Sequence, residues 1–156
     1  MNALERGAGY LALKPRTRKE VTDYLKGKGY SDEEVEQAVR ELCEYHYIDD
    51  GQYTRLYIRY ASDKGRGMSR IRRELLSKGV DSDTIEDVLY ELEQEEGLPD
   101  QMSMALEIGE AVLGHADTRS LDYAEKSKLK GRIARRLQSR GFSNDVIFSV
   151  LNRLSL

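Results

Sequence analysis

The sequence predicts an all-α protein, built as an elongated tandem array of three-helix, helix-turn-helix-like repeats. Apolar residues recur at spacings of three and four, as on one face of a helix. A basic-Gly-apolar triplet occurs three times, and a residue that can cap a helix N-terminus follows each triplet. The triplets are Lys28-Gly29-Tyr30, Lys78-Gly79-Val80 and Arg140-Gly141-Phe142.

The composition supports this fold class and limits the functions the chain could have. Hydrophobic residues make up 39% and charged residues 34% of the chain, a thin core under a wide charged surface. No apolar run approaches the ~20 residues of a membrane span, and the first residues lack a signal-peptide core. The single cysteine, Cys43, excludes an internal disulfide. We therefore expect a monomeric, cytoplasmic protein without membrane contact.

The first element is a helix over approximately residues 2–14, with Tyr10 matching Tyr60 of a later helix. Repeats then follow at approximately 15–63, 67–114 and 126–156. Thr17 and Glu20 have the spacing of a capping box, which predicts that the first repeat's opening helix begins there.

Each triplet is expected to end one helix and lead into the next. Its glycine can adopt the left-handed conformation that closes a helix C-terminus. Two residues later, Ser31, Asp81 and Ser143 can cap the following helix, and Ser31 forms a second capping box with Glu34.

Additional helices are predicted between the triplet-centred pairs. Asp49 or Asp50 can cap a helix that carries Tyr53, Tyr57, Ile58 and Ala61 on neighbouring turns. After the second repeat, Pro99 suits the first position of a helix that stops at Gly114. The segment from His115 to Lys126 is predicted to be a loop, with room for a short helical start.

Charge is segregated by helix. Residues 64–80 and 126–141 are strongly basic, whereas the helices after the triplets are acidic, most of all over residues 81–96. This predicts one basic and one acidic flank. The candidate partner- or phosphate-binding residues are Lys64, Arg66, Arg70, Arg72, Arg73, Lys78, Lys128, Lys130, Arg132, Arg135, Arg136 and Arg140. A merely solvated charged face is the alternative, although it does not explain basic residues in first turns, where the helix dipole disfavours them.

Two other interpretations, in which these helices read or stack on nucleic-acid bases, are less well supported than a basic binding surface. A sequence-specific helix-turn-helix reader needs base-reading side chains on the second helix, and here the second helices are acidic. Tyr53, Tyr57 and Tyr60 form one helical stripe that could stack on bases, but core packing is the more common use of such a stripe.

No active site or cofactor site is predicted. Asp49 and Asp50 stand where a helix cap is needed, so they are better explained as caps than as paired catalytic carboxylates. His46 and His115 lack the spacing of metal ligands, and Cys43 has no base at a motif spacing. We therefore expect no catalytic residues, no metal ligands and no cofactor, and we do not expect the protein to be an enzyme.

Several motifs together resemble the RecX family, and they extend over most of the chain. They are residues 47–53 (YIDDGQY), 64–67 (KGRG), 71–75 (IRREL) and 78–80 (KGV), with an opening motif at 11–17 (LALKPRT) and a closing motif at 135–143 (RRLQSRGFS). Two positions depart from the family pattern: His46 stands in place of a usual glycine, and Tyr53 in place of a usual phenylalanine. Histidine tolerates the left-handed region, so we expect the turn at His46 to persist.

The resemblance implies tandem three-helix repeats and a regulator of the RecA recombinase. Such a regulator would bind RecA–DNA filaments and mainly inhibit ATP hydrolysis, strand exchange and filament growth in recombination, DNA repair and the SOS response. The implied partners are the RecA filament and DNA, the latter bound weakly and non-specifically. The alternative is a DNA-binding module that acts through its basic helices without RecA.

Overall fold

The computed structural model describes all residues from Met1 to Leu156 and consists of nine α-helices with no strand. A short 3-10 helix, Thr118–Ser120, precedes the eighth helix. The α-helices are α1 (Ala3–Leu13), α2 (Arg18–Gly27), α3 (Asp32–Glu44), α4 (Asp50–Asp63), α5 (Met68–Ser77), α6 (Ser82–Glu95), α7 (Gln101–Leu113), α8 (Tyr123–Arg140) and α9 (Asn144–Arg153). The predicted all-α class is confirmed, and no helix is long and apolar enough to cross a membrane.

The chain divides into two compact units. Unit 1 contains residues 1–58 and 74–97, and unit 2 contains residues 59–73 and 98–156. Within unit 1, helices α1, α2 and α3 pack on one another, and within unit 2, helices α7, α8 and α9 do the same. The repeat boundaries given above (15–63, 67–114 and 126–156) stay predictions.

The core of the first three helices is aliphatic and allows the helices to approach closely. Two buried residues of α2, Val21 and Leu25, are four positions apart and therefore lie on one face of the helix. Leu42 of α3 is buried in the same core. A methyl group on Gly7 of α1 would lie only 2.8 Å from Leu42 Cδ1, so this glycine permits the close packing of α1 on α3.

Unit 2 repeats this packing with different residues. Ile133 and Leu137 of α8 and Val150 of α9 are completely buried. Gly109 of α7 takes the place of Gly7, because a methyl group there would lie 3.0 Å from Val150. Truncating a fully buried leucine such as Leu137 to alanine typically costs about 2–5 kcal/mol.

The helix caps and glycine turns predicted for the triplet-centred helix pairs are confirmed. Both capping boxes form, Thr17 with Glu20 and Ser31 with Glu34. Asp81 and Ser143 accept hydrogen bonds from Thr84 N and Val146 N. The triplet glycines have positive φ, namely 90° at Gly29, 93° at Gly79 and 98° at Gly141.

The predicted turn before α4 is present, with a histidine in the left-handed region. His46 adopts a φ of 62°, in the left-handed region. Asp49 caps the helix by accepting the N–H of Gln52 at 3.0 Å. Asp50 instead accepts the backbone N–H of Arg18 at 2.8 Å, which ties the start of α4 to the start of α2.

Two predicted boundaries after residue 97 are wrong. Pro99 is not the first residue of α7, because Asp100 caps this helix by accepting the N–H groups of Met102 and Ser103. The predicted loop from His115 to Lys126 is shorter than expected, since α8 already begins at Tyr123. There the carboxylate of Asp122 accepts the N–H of Glu125 at 2.8 Å and begins the helix. The helix end at Gly114 is confirmed.

Candidate partner-binding surface

The first turn of α5 lies against the last turn of α8 in unit 2. Gly67 N donates to Arg140 O at 2.8 Å, and Arg70 N donates to Gly141 O at 3.3 Å. The helix end at α8 leaves carbonyl groups without intrahelical partners, and the N–H groups at the start of α5 satisfy two of them. Backbone hydrogen bonding therefore holds these two basic segments together.

The contact requires two residues without side chains. A methyl group on Gly67 would lie 2.4 Å from Gly141 O, and one on Gly141 would lie 2.1 Å from Arg70 Cβ. Because real Cβ atoms do not approach so closely, the two backbones can meet only where both positions are glycine. Arg70 and Arg140 are consequently neighbours although they are far apart in sequence.

The loop after α4 adds two more cations to this junction. Lys64 Nζ lies 5.7 Å from the ring centroid of Tyr60, and the Arg66 guanidinium carbon lies 5.6 Å from the same centroid. Arg140 Nη1 would be 3.1 Å from a methyl group on Gly65, between those two residues. We call Lys64, Arg66, Arg70 and Arg140 the junction cluster.

Most of the junction cluster is partly covered by the protein. Lys64 is exposed, whereas Arg66, Arg70 and Arg140 are half-buried. Arg66 and Arg70 also have interactions with other groups of the protein. The three arginines of the junction cluster are thus partly immobilised, so they lose less side-chain entropy on binding than fully exposed lysines would.

The exposed face of α8 carries a second set of cations. Lys128, Arg132, Arg135 and Arg136 are exposed at spacings of three and four, so they share one side of the helix. None of them forms an ion pair within unit 2. We call these four residues the α8 stripe; Lys130 is exposed as well but lies on a different side of the helix.

Three further candidate residues are not part of these two sets as defined. Arg72 and Arg73 are exposed on α5, and Arg72 has an interaction within the protein. Lys78 belongs to unit 1, where its backbone carbonyl accepts the Thr17 hydroxyl and its Nζ lies 5.5 Å from the ring centroid of Tyr57. The structure therefore brings together two groups of the predicted residues, not all twelve.

The tyrosine stripe is used mainly for packing. The rings of Tyr53 and Tyr57 are almost parallel, with centroids 6.2 Å apart, and both residues are half-buried. Burial raises the pKa of Tyr53 to about 12. Tyr60 is the most accessible ring of the stripe, with 52% of its surface exposed beside the junction cluster.

The ionisable residues considered for chemistry have local structural roles. Asp49 caps α4, and burial raises the pKa of Asp50, although the N–H of Arg18 opposes that shift. Burial also raises the pKa of Cys43, which keeps this thiol protonated and poorly nucleophilic. No group of three or more His, Cys, Asp or Glu side chains is placed to hold a metal ion.

Sequence reasoning missed two features of these surfaces. One is the role of Gly65 and Gly67, which allow Arg140 and Gly141 to approach; two glycines inside a basic segment were the available signal. The other is Arg55, whose guanidinium contacts Glu91 at 2.9 Å and Glu95 at 3.0 Å. Its signal was an arginine on α4 that is followed in the chain by the strongly acidic helix α6.

Tandem three-helix repeats with cation-rich surfaces place this chain in the class of helical-repeat proteins. Comparison with known proteins narrows that class. Residues 3–42 match the family model of the first three-helix domain of RecX, and residues 49–89 match that of the second. The chain belongs to the RecX family of regulatory proteins.

Similarity to individual proteins supports this family assignment. The regulatory protein RecX of Lactobacillus johnsonii is 33% identical over 99% of this chain and 54% of its own length. That of Bacillus subtilis is 31% identical over 96% of this chain and 53% of its own length. The chain thus spans about half the length of these curated relatives. The crystal structure of RecX from Lactobacillus salivarius has the same fold, with a TM-score of 0.78, 24% identity, and coverage of 98% of this chain and 94% of that one.

Proposed function

We propose that this chain binds RecA filaments on DNA and inhibits their ATP hydrolysis, strand exchange and growth. Membership of a family of regulatory proteins named RecX is the observation that carries the proposal. The basic surfaces of unit 2 support it, because DNA phosphates and acidic protein side chains are the natural targets of such surfaces. The chain would act as a non-enzymatic, monomeric protein in the cytoplasm.

The α8 stripe and the junction cluster would have different roles in binding. The α8 stripe is exposed and unpaired within its unit, so long-range attraction to a negative surface would act mainly through it. The junction cluster is partly covered and held by the backbone contact between α5 and α8, so it would supply short-range hydrogen bonds to carboxylate or phosphate.

The direct test measures RecA-dependent ATP hydrolysis on single-stranded DNA with increasing amounts of this protein. Hydrolysis is expected to fall as the protein is added. The triple substitution Arg132→Gln, Arg135→Gln and Arg136→Gln should raise the concentration needed for inhibition by about tenfold or more, if each charge contributes on the order of 0.5–1 kcal/mol. An excess of the unmodified chain that leaves hydrolysis unchanged contradicts the proposal.

A matched control carries the same change in charge at other exposed sites. Lys14→Gln, Lys26→Gln and Arg119→Gln remove three positive charges outside the two basic sets. This variant should inhibit within about twofold of the unmodified chain, since exposed charges far from an interface contribute little. Equal losses in the two triple variants would mean that overall charge, not the α8 stripe, matters.

Binding to DNA without RecA is the rival function, and salt dependence separates the two. A DNA-only module should bind with a log–log salt slope of roughly −0.7 per phosphate on single strands and −0.9 on duplex. Tight binding of this kind without an effect on RecA favours the rival. Electron microscopy of RecA filaments distinguishes two mechanisms of inhibition. Capped filaments would stop growing but persist, whereas disassembled filaments would shorten after the protein is added.

A further inference from the structure

Each three-helix set carries an open groove at the same place. In unit 1, the N-terminal turn of α1 and the face of α3 form a groove of about 240 Å³. The N-terminal turn of α4 and the face of α6 form another, of about 370 Å³. Unit 2 has a third, of about 600 Å³, where Met102 of α7 faces α9.

The residues that line the three grooves correspond in the repeat. Gly79 follows Gly29 by 50 residues, and the α3 positions that line the first groove have their α6 counterparts in the second. The same register continues into α9, where Val146, Ser149 and Arg153 line the third groove. The α3 residues are Glu34, Gln37, Ala38 and Glu41, and the α6 residues are Thr84, Asp87, Val88 and Glu91. The groove is therefore a repeated feature of the fold.

The second groove contains an arginine of the chain itself. Arg55 of α4 lines this groove, and only 18% of its side chain is exposed. Its Nη2 contacts Glu91 Oε2 at 2.9 Å, and its Nη1 contacts Glu95 Oε2 at 3.0 Å. Two charge-assisted hydrogen bonds fix the guanidinium, and the Arg55 side chain forms part of the groove wall. A groove of this kind thus has the shape and charge to hold one arginine side chain.

The first groove has the acceptor but no arginine. Glu41 occupies the position of Glu91, and on the α1 side the groove is lined by Asn2, Ala3 and Leu4, all uncharged. The Glu41 carboxylate accepts one hydrogen bond, from the Gln37 amide at 3.2 Å, and forms no ion pair. The groove floor is apolar at Ala3, Leu4 and Ala38, which suits the methylene groups of a long cationic side chain.

Tyr45 and Glu34 also bear on this assignment. Tyr45 is not a lining residue of the groove, but it stands at the position of Glu95, one helical turn after Glu41, and its ring is 68% exposed and therefore accessible to a guanidinium bound at Glu41. Glu34 already has a role, because its carboxylate caps α3 by accepting the N–H of Ser31 at 3.1 Å, which lowers the pKa of Glu34. Glu41 is thus the carboxylate available for a ligand.

We propose that the groove between α1 and α3 binds an arginine side chain presented by a partner protein, in the way the next repeat holds Arg55. This site is separate from the basic surfaces of unit 2 and does not depend on RecA binding. It would give the chain a second protein-binding site, which is acidic whereas the surfaces of unit 2 are basic.

The test titrates the full chain, labelled for amide NMR, with the blocked tripeptide acetyl-Gly-Arg-Gly-amide. Amide signals of Leu4, Ala38 and Glu41 should shift and saturate. The matching peptide with citrulline, which has the same shape without the charge, should bind about tenfold more weakly or worse, since an interaction with a charged group is roughly twice as strong as a neutral one. Equal binding of the two peptides overturns the proposal.

Two pairs of variants locate the site. Glu41→Gln should lower the affinity for the arginine peptide by about tenfold. Glu33→Gln removes an equal charge from the exposed side of α3 and should change this affinity by less than about twofold. Leu4→Arg should place an internal arginine in the groove and abolish peptide binding, and Leu4→Gln should leave binding in place. If Leu4→Arg does not fold, as judged by circular dichroism, the Glu41 and Glu33 pair still decides.

Two outcomes would contradict the proposal. Equal losses in Glu41→Gln and Glu33→Gln would mean that the peptide senses only the acidity of α3. Concentration-dependent self-association in sedimentation, abolished by Glu41→Gln, would make the occupant a second copy of this chain instead of a partner protein.

Discussion

The turns at Gly79 and Gly141 have the same sequence pattern, and each receives the start of another helix, but they do so through different atoms. At Gly79, in unit 1, the side chain of Thr17 donates its hydroxyl to Lys78 O at 2.6 Å, and the side chain of Lys19 covers the glycine. At Gly141, in unit 2, backbone N–H groups of Gly67 and Arg70 bond the turn directly.

The difference is one of degree: a methyl group at either glycine would meet the Cβ of the approaching residue, and only at Gly141 are backbone atoms among its nearest neighbours. A methyl group on Gly79 would meet side-chain carbons of Lys19, from 2.3 Å. A methyl group on Gly141 would meet the Cβ of Arg70 at 2.1 Å and its backbone N at 2.9 Å. Gly29, the third glycine of the series, has nothing within 4 Å, so it reports the cost of the backbone conformation alone.

The largest effect is expected from Gly141→Ala. Alanine at a φ of 98° costs about 1–2 kcal/mol, and separating α5 from α8 adds about 1–3 kcal/mol of overpacking. We expect a loss of about 3–4 kcal/mol in the free energy of unfolding, measured by urea denaturation with far-ultraviolet circular dichroism. Gly29→Ala is the control and should lose only about 1–2 kcal/mol, the cost of the backbone conformation. Equal losses at the two sites would show that backbone conformation, not close approach, makes Gly141 necessary.

Gly79→Ala should fall between those two variants. The positive φ of 93° has the same cost as at the other two glycines, and the new methyl group would meet Lys19 Cβ at 2.3 Å but, unlike at Gly141, no backbone atom is among its three nearest neighbours. A loss of about 2–3 kcal/mol is expected by the same denaturation experiment. Adding Lys19→Gly to Gly79→Ala should recover the packing part of that loss, relative to Lys19→Gly alone. Without such recovery, contact with Lys19 is not what distinguishes this turn.

Thr17→Val breaks the first junction by a different route. The completely buried Thr17 hydroxyl donates to Lys78 O and accepts the N–H of Glu20 at 3.1 Å. Losing the cap and leaving the Lys78 carbonyl without its donor should together destabilise the fold by about 2 kcal/mol. Thr22→Val is the control, because the Thr22 hydroxyl only donates to Arg18 O of its own helix. A loss no larger than that of Thr22→Val would contradict a role for Thr17 in the junction.

The smallest effect concerns pH and compares the caps that follow the two turns. The N–H of Thr84 lowers the pKa of Asp81, whereas the Ser143 hydroxyl at the equivalent position does not titrate. Because the folded pKa is the lower one, Asp81 stabilises the fold above the unfolded value of about 3.9, and this stabilisation disappears as the pH falls through the folded pKa. In the Asp81→Ser variant, the free energy of unfolding should therefore fall less between about pH 6 and about pH 2 than it does in the unmodified protein. An unchanged pH profile, measured by urea denaturation, would contradict the role of Asp81.

Much of the local structure could be predicted because its causes are local. The capping pairs Thr17 with Glu20 and Ser31 with Glu34 depend on residues three apart, and the triplet glycines depend on backbone conformation. Pro99 was misplaced because two signals for a helix start compete there, and the carboxylate of Asp100 makes the stronger cap.

The functional surfaces could be predicted only in part. Basic composition identified α5 and α8, but it could not show that Arg70 and Arg140 meet while Lys78 belongs to the other unit. Periodicity within α8 did separate the exposed arginines from buried Ile133 and Leu137. The arginine-holding groove was not predicted, since Arg55 and Glu91 are 36 positions apart.

The sequence alone determined the helices, their caps, their glycine turns and the family, because each of these depends on residue type at short spacing or on motifs that remain recognisable in one chain. Only the tertiary structure decided which turn meets which helix, which cations share a surface and which groove holds an arginine. Those outcomes depend on contacts between distant segments, where a separation of one methyl group decides whether two backbones can meet.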